Sequence, residues 1–215
     1  MDWRETFREA VPAVSDQPGL FDEPLSGPDL ELAVHESAFS LTEADHHMAT
    51  LLREIDWQQE EIRMFGKTMP IPRLTAWYGD NGLSYTYSGI EMHPTGWADC
   101  LAPLRERVEE LAGCRFNSVL LNLYRSGEDG VSWHADDEPD LGPDPTIGSI
   151  SLGAARKFQL RRIDDPTERR EVVLRNGDVV VMSPPTQRFW HHQIPKTAKP
   201  VGQRINLTFR TITRA

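Results

Sequence analysis

Val131-Ser132-Trp133-His134-Ala135-Asp136-Asp137-Glu138 is the stretch around which the chain can be read. His134 and Asp136 are two apart, so on a strand both side chains leave the same face. One strand end then offers an imidazole and a carboxylate to a single metal ion. A second imidazole is available from His191-His192, and His192 lies 58 positions beyond His134. Two imidazoles and one carboxylate on one side leave the opposite coordination positions open, which suits ferrous iron in oxygenases. A His-x-Asp pair is weak on its own, because a strand histidine is usually only hydrogen-bonded. It gains weight from the chain between the histidines, which is long enough to complete a roll of strands and return.

Outward from this stretch the pattern is β. Residues 119–124 read as a strand, 126–130 as a turn and 131–136 as the metal strand. Further strands are expected at 146–154, 157–163, 171–174, 178–183 and 204–212, with Gly, Pro and Asp between them. Ahead of them come two helices. Met48, Leu51, Leu52 and Ile55 have helical spacing from residue 41, with Thr42 as the expected N-cap, and 64–67 closes this helical region. Trp97, Leu101, Leu104, Val108 and Leu111 form the stripe of a helix over 97–111 that stops at Gly113. Between the helices, 69–73 reads as extended, 74–78 as a strand, 79–82 as a turn and 83–89 as a strand or an ordered loop. The expected fold class is α+β, mainly β, a double-stranded β-helix (jelly-roll) core backed by N-terminal helices.

The second signal is Arg204-Ile205-Asn206-Leu207-Thr208-Phe209-Arg210, which alternates strictly. Its polar face could be solvated, with Ile205, Leu207 and Phe209 alone in the core. If instead it faces inward, the arginines need partners, and a dicarboxylate supplies them through bidentate contacts. Asn122 and Tyr124 add neutral donors from a neighbouring strand, while Tyr85 and Tyr87 share a face that can pack or stack on a planar ligand.

With 215 residues, 39% of them hydrophobic, the chain has enough apolar content for one good core. No apolar run reaches membrane length and no secretory signal opens the sequence. Two cysteines, Cys100 and Cys114, point to a reduced intracellular setting, cytoplasmic or nuclear. A monomer without membrane contact is expected. The net charge is −10, but residues 1–47 carry −9 of it and the body is near neutral, so a local basic face can still meet phosphates. The division expected is an acidic, Pro-containing arm over 1–40, either partly ordered by Leu20, Phe21 and Leu30 docking on the body or a flexible tail, and a catalytic domain over 41–215. Arg156, Lys157, Arg161, Arg162, Arg169, Arg170 and Arg175 form a basic run, read as a solvated face or in part a nucleic-acid contact.

The ordered set Pro72-Arg73-Leu74-Thr75-Ala76-Trp77-Tyr78-Gly79-Asp80, Tyr85-Thr86-Tyr87-Ser88-Gly89, Asn122-Leu123-Tyr124, His134-x-Asp136-Asp137-Glu138, His192-x-Ile194-Pro195 and Arg204-x-Asn206-Leu207-Thr208-Phe209-Arg210 resembles the AlkB family of DNA dealkylating dioxygenases. The resemblance covers about Met64 to Ile212. It implies His134, Asp136 and His192 as ligands of Fe(II), with His192 chosen over His191 because Ile194-Pro195 follows it. It implies Arg204 and Arg210 on the carboxylates of 2-oxoglutarate, helped by Asn122, Tyr124 and Asn206, with O2 as the second cosubstrate. Tyr87 and His134 resemble the pair that sandwiches a flipped base, Tyr85 and Glu138 resemble groups lining its pocket, and Arg73 and Asp137 support it. Phe65 resembles an aromatic wedge pushed into a duplex, though a core phenylalanine fits equally. His191 is a departure, standing where an aromatic ring is usual in the nearest relatives within that family. The implied activity is oxidative demethylation of bases such as 1-methyladenine and 3-methylcytosine in DNA, with RNA as a further candidate substrate. An iron/2-oxoglutarate hydroxylase of a protein or small molecule, or a non-catalytic reader of damaged nucleic acid, are the alternatives.

Overall fold

The computed structural model describes residues 25, 27–64, 66–83, 85–87, 90–92 and 94–213. Its centre is a sandwich of two sheets. The larger sheet is built from β1 (Glu31–His35), β4 (Leu74–Gly79), β7 (Thr95–Gly96), β8 (Ser118–Tyr124), β10 (Ile147–Gly153), β13 (Val179–Ser183) and β15 (Arg204–Arg210), in the order β1-β13-β10-β15-β8-β4-β7. The smaller sheet has β9 (Val131–His134), β11 (Arg156–Arg162), β12 (Arg169–Leu174) and β14 (Trp190–Ile194), in the order β12-β11-β14-β9. The neighbours run antiparallel except β4 and β7. Two hairpins stand apart: β2 (Glu61–Met64) with β3 (Lys67–Pro70), and β5 (Tyr85–Tyr87) with β6 (Ile90–Met92). This is the jelly roll expected from the strand spacing.

Each face of the large sheet has its own core. On one side Ile150, Leu152, Val179, Val181, Ile205, Leu207 and Phe209 pack against α1 (Leu41–Glu54) and α2 (Ala102–Ala112), through Leu51, Leu104 and Val108. On the other, Leu30, Tyr124, Ile147, Phe158, Leu160, Val180, Met182, Trp190 and Ile194 fill the space between the sheets. The alternation of β10, β13 and β15 divides their side chains between these cores. Gly148 makes α2 possible, since a Cβ there would stand 2.5 Å from Val108 Cγ2.

Several expectations are corrected. The first helix is capped by Ser40, not Thr42: Ser40 Oγ accepts from the Glu43 amide at 3.3 Å and Glu43 Oε2 accepts from the Ser40 amide at 2.8 Å. Capping-box chemistry at Ser-x-x-Glu outweighs the proximity of Thr42 to the apolar stripe. That helix ends at Glu54, and 61–70 is a hairpin rather than a helix end and an extended segment. The second helix starts at Ala102 after a 3₁₀ turn, with Trp97 ahead of it, stacked on Phe209 at 6.4 Å. Gly113 ends it at φ 65°, the left-handed stop expected of a glycine there. The metal strand is shorter than read and stops at His134. Residues 190–194, for which no strand was expected, form β14. Of the stretch assigned to an arm, 31–35 pairs in full with β13 and Leu30 is buried, while Leu20 and Phe21 lie outside the described residues. Among the described residues no helix is long and apolar enough to cross a membrane.

Replacing Ser40 by alanine should lower stability by about 1 kcal/mol, the usual worth of an N-cap, with a melting-point fall of about 2–4 °C in thermal denaturation.

Candidate metal centre

β9 and β14 pair antiparallel with His134 opposite His192, so adjacent strands bring the two imidazoles together. Their ring centroids are 4.3 Å apart. The register shifts between His192 and Ile194, a bulge of the kind that re-aims side chains beside a site. Asp136 lies two residues beyond the strand end and is placed by other means. Its amide donates to Gln187 Oε1 at 2.9 Å, from the short helix α3 (Thr186–Phe189), and Arg210 Nη2 donates to its Oδ1. One ligand atom each from His134, Asp136 and His192 lies within 4.8 Å of the others.

The polar atoms around this point fit a cation. Asp136 and His192 are buried. Asp136 Oδ2 accepts no hydrogen bond and stands 3.8 Å from His192 Nε2. A buried carboxylate oxygen without a partner is costly, and a metal ion removes that cost. His134 Nδ1 lies 2.8 Å from the Ser132 carbonyl, which sets Nδ1 as the protonated nitrogen and leaves Nε2 as the donor atom for a metal. Burial works against the Asp136 carboxylate, but the charges of Arg210, His192 and His134 and the Arg210 hydrogen bond hold its pKa below the usual range. Burial, with the neighbouring His134 and Arg210, pushes His192 down to about 3. At neutral pH the site therefore presents one carboxylate and a neutral His192, the protonation states a divalent metal requires.

The polar face of β15 points into this space, and the solvated alternative for it is excluded by burial: Arg204 is 0% exposed. Arg204 Nη2 donates to Ser151 Oγ at 2.8 Å and Asn206 Oδ1 at 2.9 Å. Its guanidinium sits 5.3 Å from the Tyr124 ring centroid. Burial lowers its pKa to about 10, with the charge of Arg156 adding to the effect and Tyr124 opposing it, so it stays cationic. Asn206 accepts from Ser149 Oγ and donates to Thr208 Oγ1, and Asn122 Oδ1 accepts from Arg73 Nε at 2.7 Å. Arg73, Asn122, Tyr124, Asn206 and Arg210 line one cavity with the three candidate ligands.

The remaining residues singled out from sequence divide. Asp137 is exposed; Glu138 is half-buried, with Oε2 lacking a partner. Tyr85 and Tyr87 lie on the β5–β6 hairpin, but their side chains, like Phe65 as a whole, lie outside the described residues. The basic run breaks up on folding: Lys157, Arg162, Arg170 and Arg175 pair with Glu171, Asp164, Glu168 and Glu36, Arg161 stacks on Trp133 at 4.5 Å, and Arg156 is buried rather than solvated. Sequence reasoning missed Gln187, Ser149 and Ser151. The serines alternate in β10 opposite Thr208 and Asn206, a signal that appears only once the pairing is known.

The 2OG-Fe(II) oxygenase superfamily model matches residues 31–210, which covers both sheets and the whole of this site, and the chain belongs to that superfamily. Within it the chain is an AlkB-family member: it is 39% identical over 215 residues to human alpha-ketoglutarate-dependent dioxygenase alkB homolog 3, covering 95% of this chain and 74% of that protein. It is also 38% identical over 184 residues to human DNA oxidative demethylase ALKBH2, covering 81% and 70% of the two chains. The solved structure of OsALKBH1 superposes with a TM-score of 0.60 at 17% identity, over 84% of this chain and 97% of that one, which speaks for the fold alone. The protein is a dioxygenase that uses Fe(II), 2-oxoglutarate and O2.

Replacing Asp136 by asparagine leaves the Arg210 guanidinium without this carboxylate. The metal-free variant should lose about 3 kcal/mol in urea denaturation at pH 7, as for one partner removed from a buried pair. The folded-state pKa of Asp136 is depressed, so its contribution is present above the ordinary carboxylate pKa and is lost as pH falls through the folded value. The gap between the two proteins should therefore narrow on acidification.

Proposed function

We propose that this enzyme demethylates N-alkylated bases such as 1-methyladenine and 3-methylcytosine in nucleic acid, with DNA as the principal substrate and RNA as a possible second one. The observation that carries the reading is the joining, in one cavity, of the His134–Asp136–His192 set to a wall containing Asn122, Tyr124, Asn206 and Arg210, with Arg204 behind it. The 38–39% identity to relatives named as a dioxygenase and a DNA oxidative demethylase supplies the substrate class.

In this reading His134, Asp136 and His192 hold Fe(II), and Arg204 and Arg210 take the two carboxylates of 2-oxoglutarate. Bound there, iron supplies the oxidising chemistry by which one oxygen atom of O2 enters an N-methyl C–H bond while the other enters 2-oxoglutarate, giving succinate and CO2. The chain's own residues bind and orient. Arg204 is a cation held ready in a dry site, with Tyr124 and Asn206 fixing its plane. Arg210 bridges two tasks, since the guanidinium that orients Asp136 also faces the cavity. Arg73 holds Asn122 from the cavity side. The N-hydroxymethyl product then breaks its N–C bond: the nitrogen keeps the electron pair, the hydroxyl gives up its proton to solvent, and the carbon leaves as formaldehyde. A base must leave its stack to reach this depth. Tyr85, Tyr87, Glu138, Asp137 and Phe65 remain the candidates for holding that base and opening the duplex.

An oligonucleotide carrying 3-methylcytosine, incubated with Fe(II), ascorbate and 2-oxoglutarate, should release formaldehyde and one succinate per methyl group lost, with neither formed at His134→Ala. Succinate without demethylation would move the substrate to a protein or small molecule. Arg204→Lys loses the planar fork and should raise the KM for 2-oxoglutarate about thirtyfold, the equivalent of about 2 kcal/mol, with a smaller effect on kcat.

A further inference from the structure

Arg156 opens β11 and is 3% exposed, which is unusual for an arginine that no carboxylate among the described residues pairs. Its guanidinium donates to three main-chain carbonyls: Nη1 to Ser126 at 3.2 Å, and Nη2 to Asp129 at 2.9 Å and Pro195 at 2.7 Å. The Asp129 carboxylate, whose charge reaches Arg156, is taken up by a two-pronged pair with Arg125. Burial lowers the Arg156 pKa, and the guanidinium is kept cationic by carbonyl dipoles and by the Tyr124 ring, whose centroid is 5.7 Å from its Cζ.

Those three carbonyls belong to two segments with one geometric role. Ser126 and Asp129 lie in the turn that joins β8, ending at Tyr124, to β9, ending at His134. Pro195 follows directly on β14, which carries His192. The turn and the β14 exit are in close contact: a Cβ on Gly127 would meet the Thr197 carbonyl at 2.3 Å, one on Gly130 would meet the Ile194 carbonyl at 2.7 Å, and the Thr197 amide donates to the Gly127 carbonyl at 2.8 Å. One guanidinium thus closes the end of the strand pair from which both histidines project. It also flanks Tyr124, which Arg204 flanks as well, at 5.3 Å. The charge of Arg156 is felt at Arg204, lowering its pKa. Two buried cations on one tyrosine make a positive floor that suits an anion.

We propose that Arg156 is a positioning residue for the cosubstrate site, fixing Tyr124 and the joined ends of β9 and β14 so that 2-oxoglutarate meets a preset, doubly cationic floor. This rests on the cosubstrate reading given under the proposed function. Arg156 touches neither cosubstrate nor metal; it acts through Tyr124, Arg204 and the turn. Its removal weakens 2-oxoglutarate binding more than turnover, which a merely structural arginine does not do.

The test is an anaerobic titration of the Fe(II)-loaded enzyme with 2-oxoglutarate, followed by the visible charge-transfer absorption of the iron–keto-acid chelate, together with thermal unfolding of the metal-free protein. Arg156→Met should fold with a lower melting point and raise the Kd for 2-oxoglutarate about tenfold, with kcat at saturation much less affected. Arg156→Lys keeps the charge but cannot span three carbonyls with a planar fork, and should lie between the two. An unchanged Kd in a folded Arg156→Met protein overturns the proposal. If the methionine variant does not fold, an unchanged Kd in Arg156→Lys overturns it instead. Absence of the absorption in the unsubstituted enzyme would reject the cosubstrate reading itself, and this proposal with it.

Discussion

The ion pair between Arg210 and Asp136 is the constraint on which the rest of the site depends. Asp136 has left its strand, so no sheet hydrogen bond sets where its carboxylate points. Arg210, at the far end of β15, holds Oδ1 and leaves Oδ2 bare beside His192. Burial drives the carboxylate towards the neutral acid, and Arg210, by charge and by hydrogen bond, leads the groups that keep it ionised, ahead of His192 and His134. The pair thus joins the two sheets, orients one candidate ligand and keeps an uncompensated lone pair aimed at the cation's position. A buried ion pair is a poor source of net stability, so its presence is better understood as serving the site.

β15 is what allows this. It is a central strand with an apolar face on the helices and a polar face on the smaller sheet, and nearly all of it is buried. Placing two arginines on the inner face is tolerable because each finds partners there: Ser151 from β10 and the Tyr124 ring from β8 for Arg204, and the Asp136 carboxylate for Arg210. The helices α1 and α2 do for the opposite face what the smaller sheet does for the inner one. The sandwich fold and the polar wall of the cavity are in this sense one arrangement, and the strand that binds them shows it in its strict alternation.

How far this was legible in the sequence depends on the kind of interaction. Periodicity revealed most strands of the sandwich and both long helices, because burial on one face leaves a repeat of two or of 3.6. It could not show which face of Arg204–Arg210 was inside, since both faces of a central strand can be buried; the burial of Arg204, Asn206 and Thr208 decides it. Ends were read less well than middles. Ser40 displaced Thr42 because capping depends on a partner three residues on, and His134 ended its strand early because Asp136 answers to Arg210 and Gln187, which are distant in sequence. β14 escaped notice because Trp190-His191-His192-Gln193-Ile194 has little of the usual strand composition, though it is the strand that delivers His192. The basic run misled in one respect: Arg156 belongs to the interior, and only three carbonyls gathered from distant turns account for it.

The central claim is that His134, Asp136 and His192, and not His191, form the iron centre. X-ray absorption of the Fe(II)-loaded protein counts imidazole ligands directly. The account predicts two in the unsubstituted enzyme and in His191→Ala, and one in any metal retained by His134→Ala or His192→Ala. Loss of an imidazole in His191→Ala, or two imidazoles retained in His192→Ala, would contradict it.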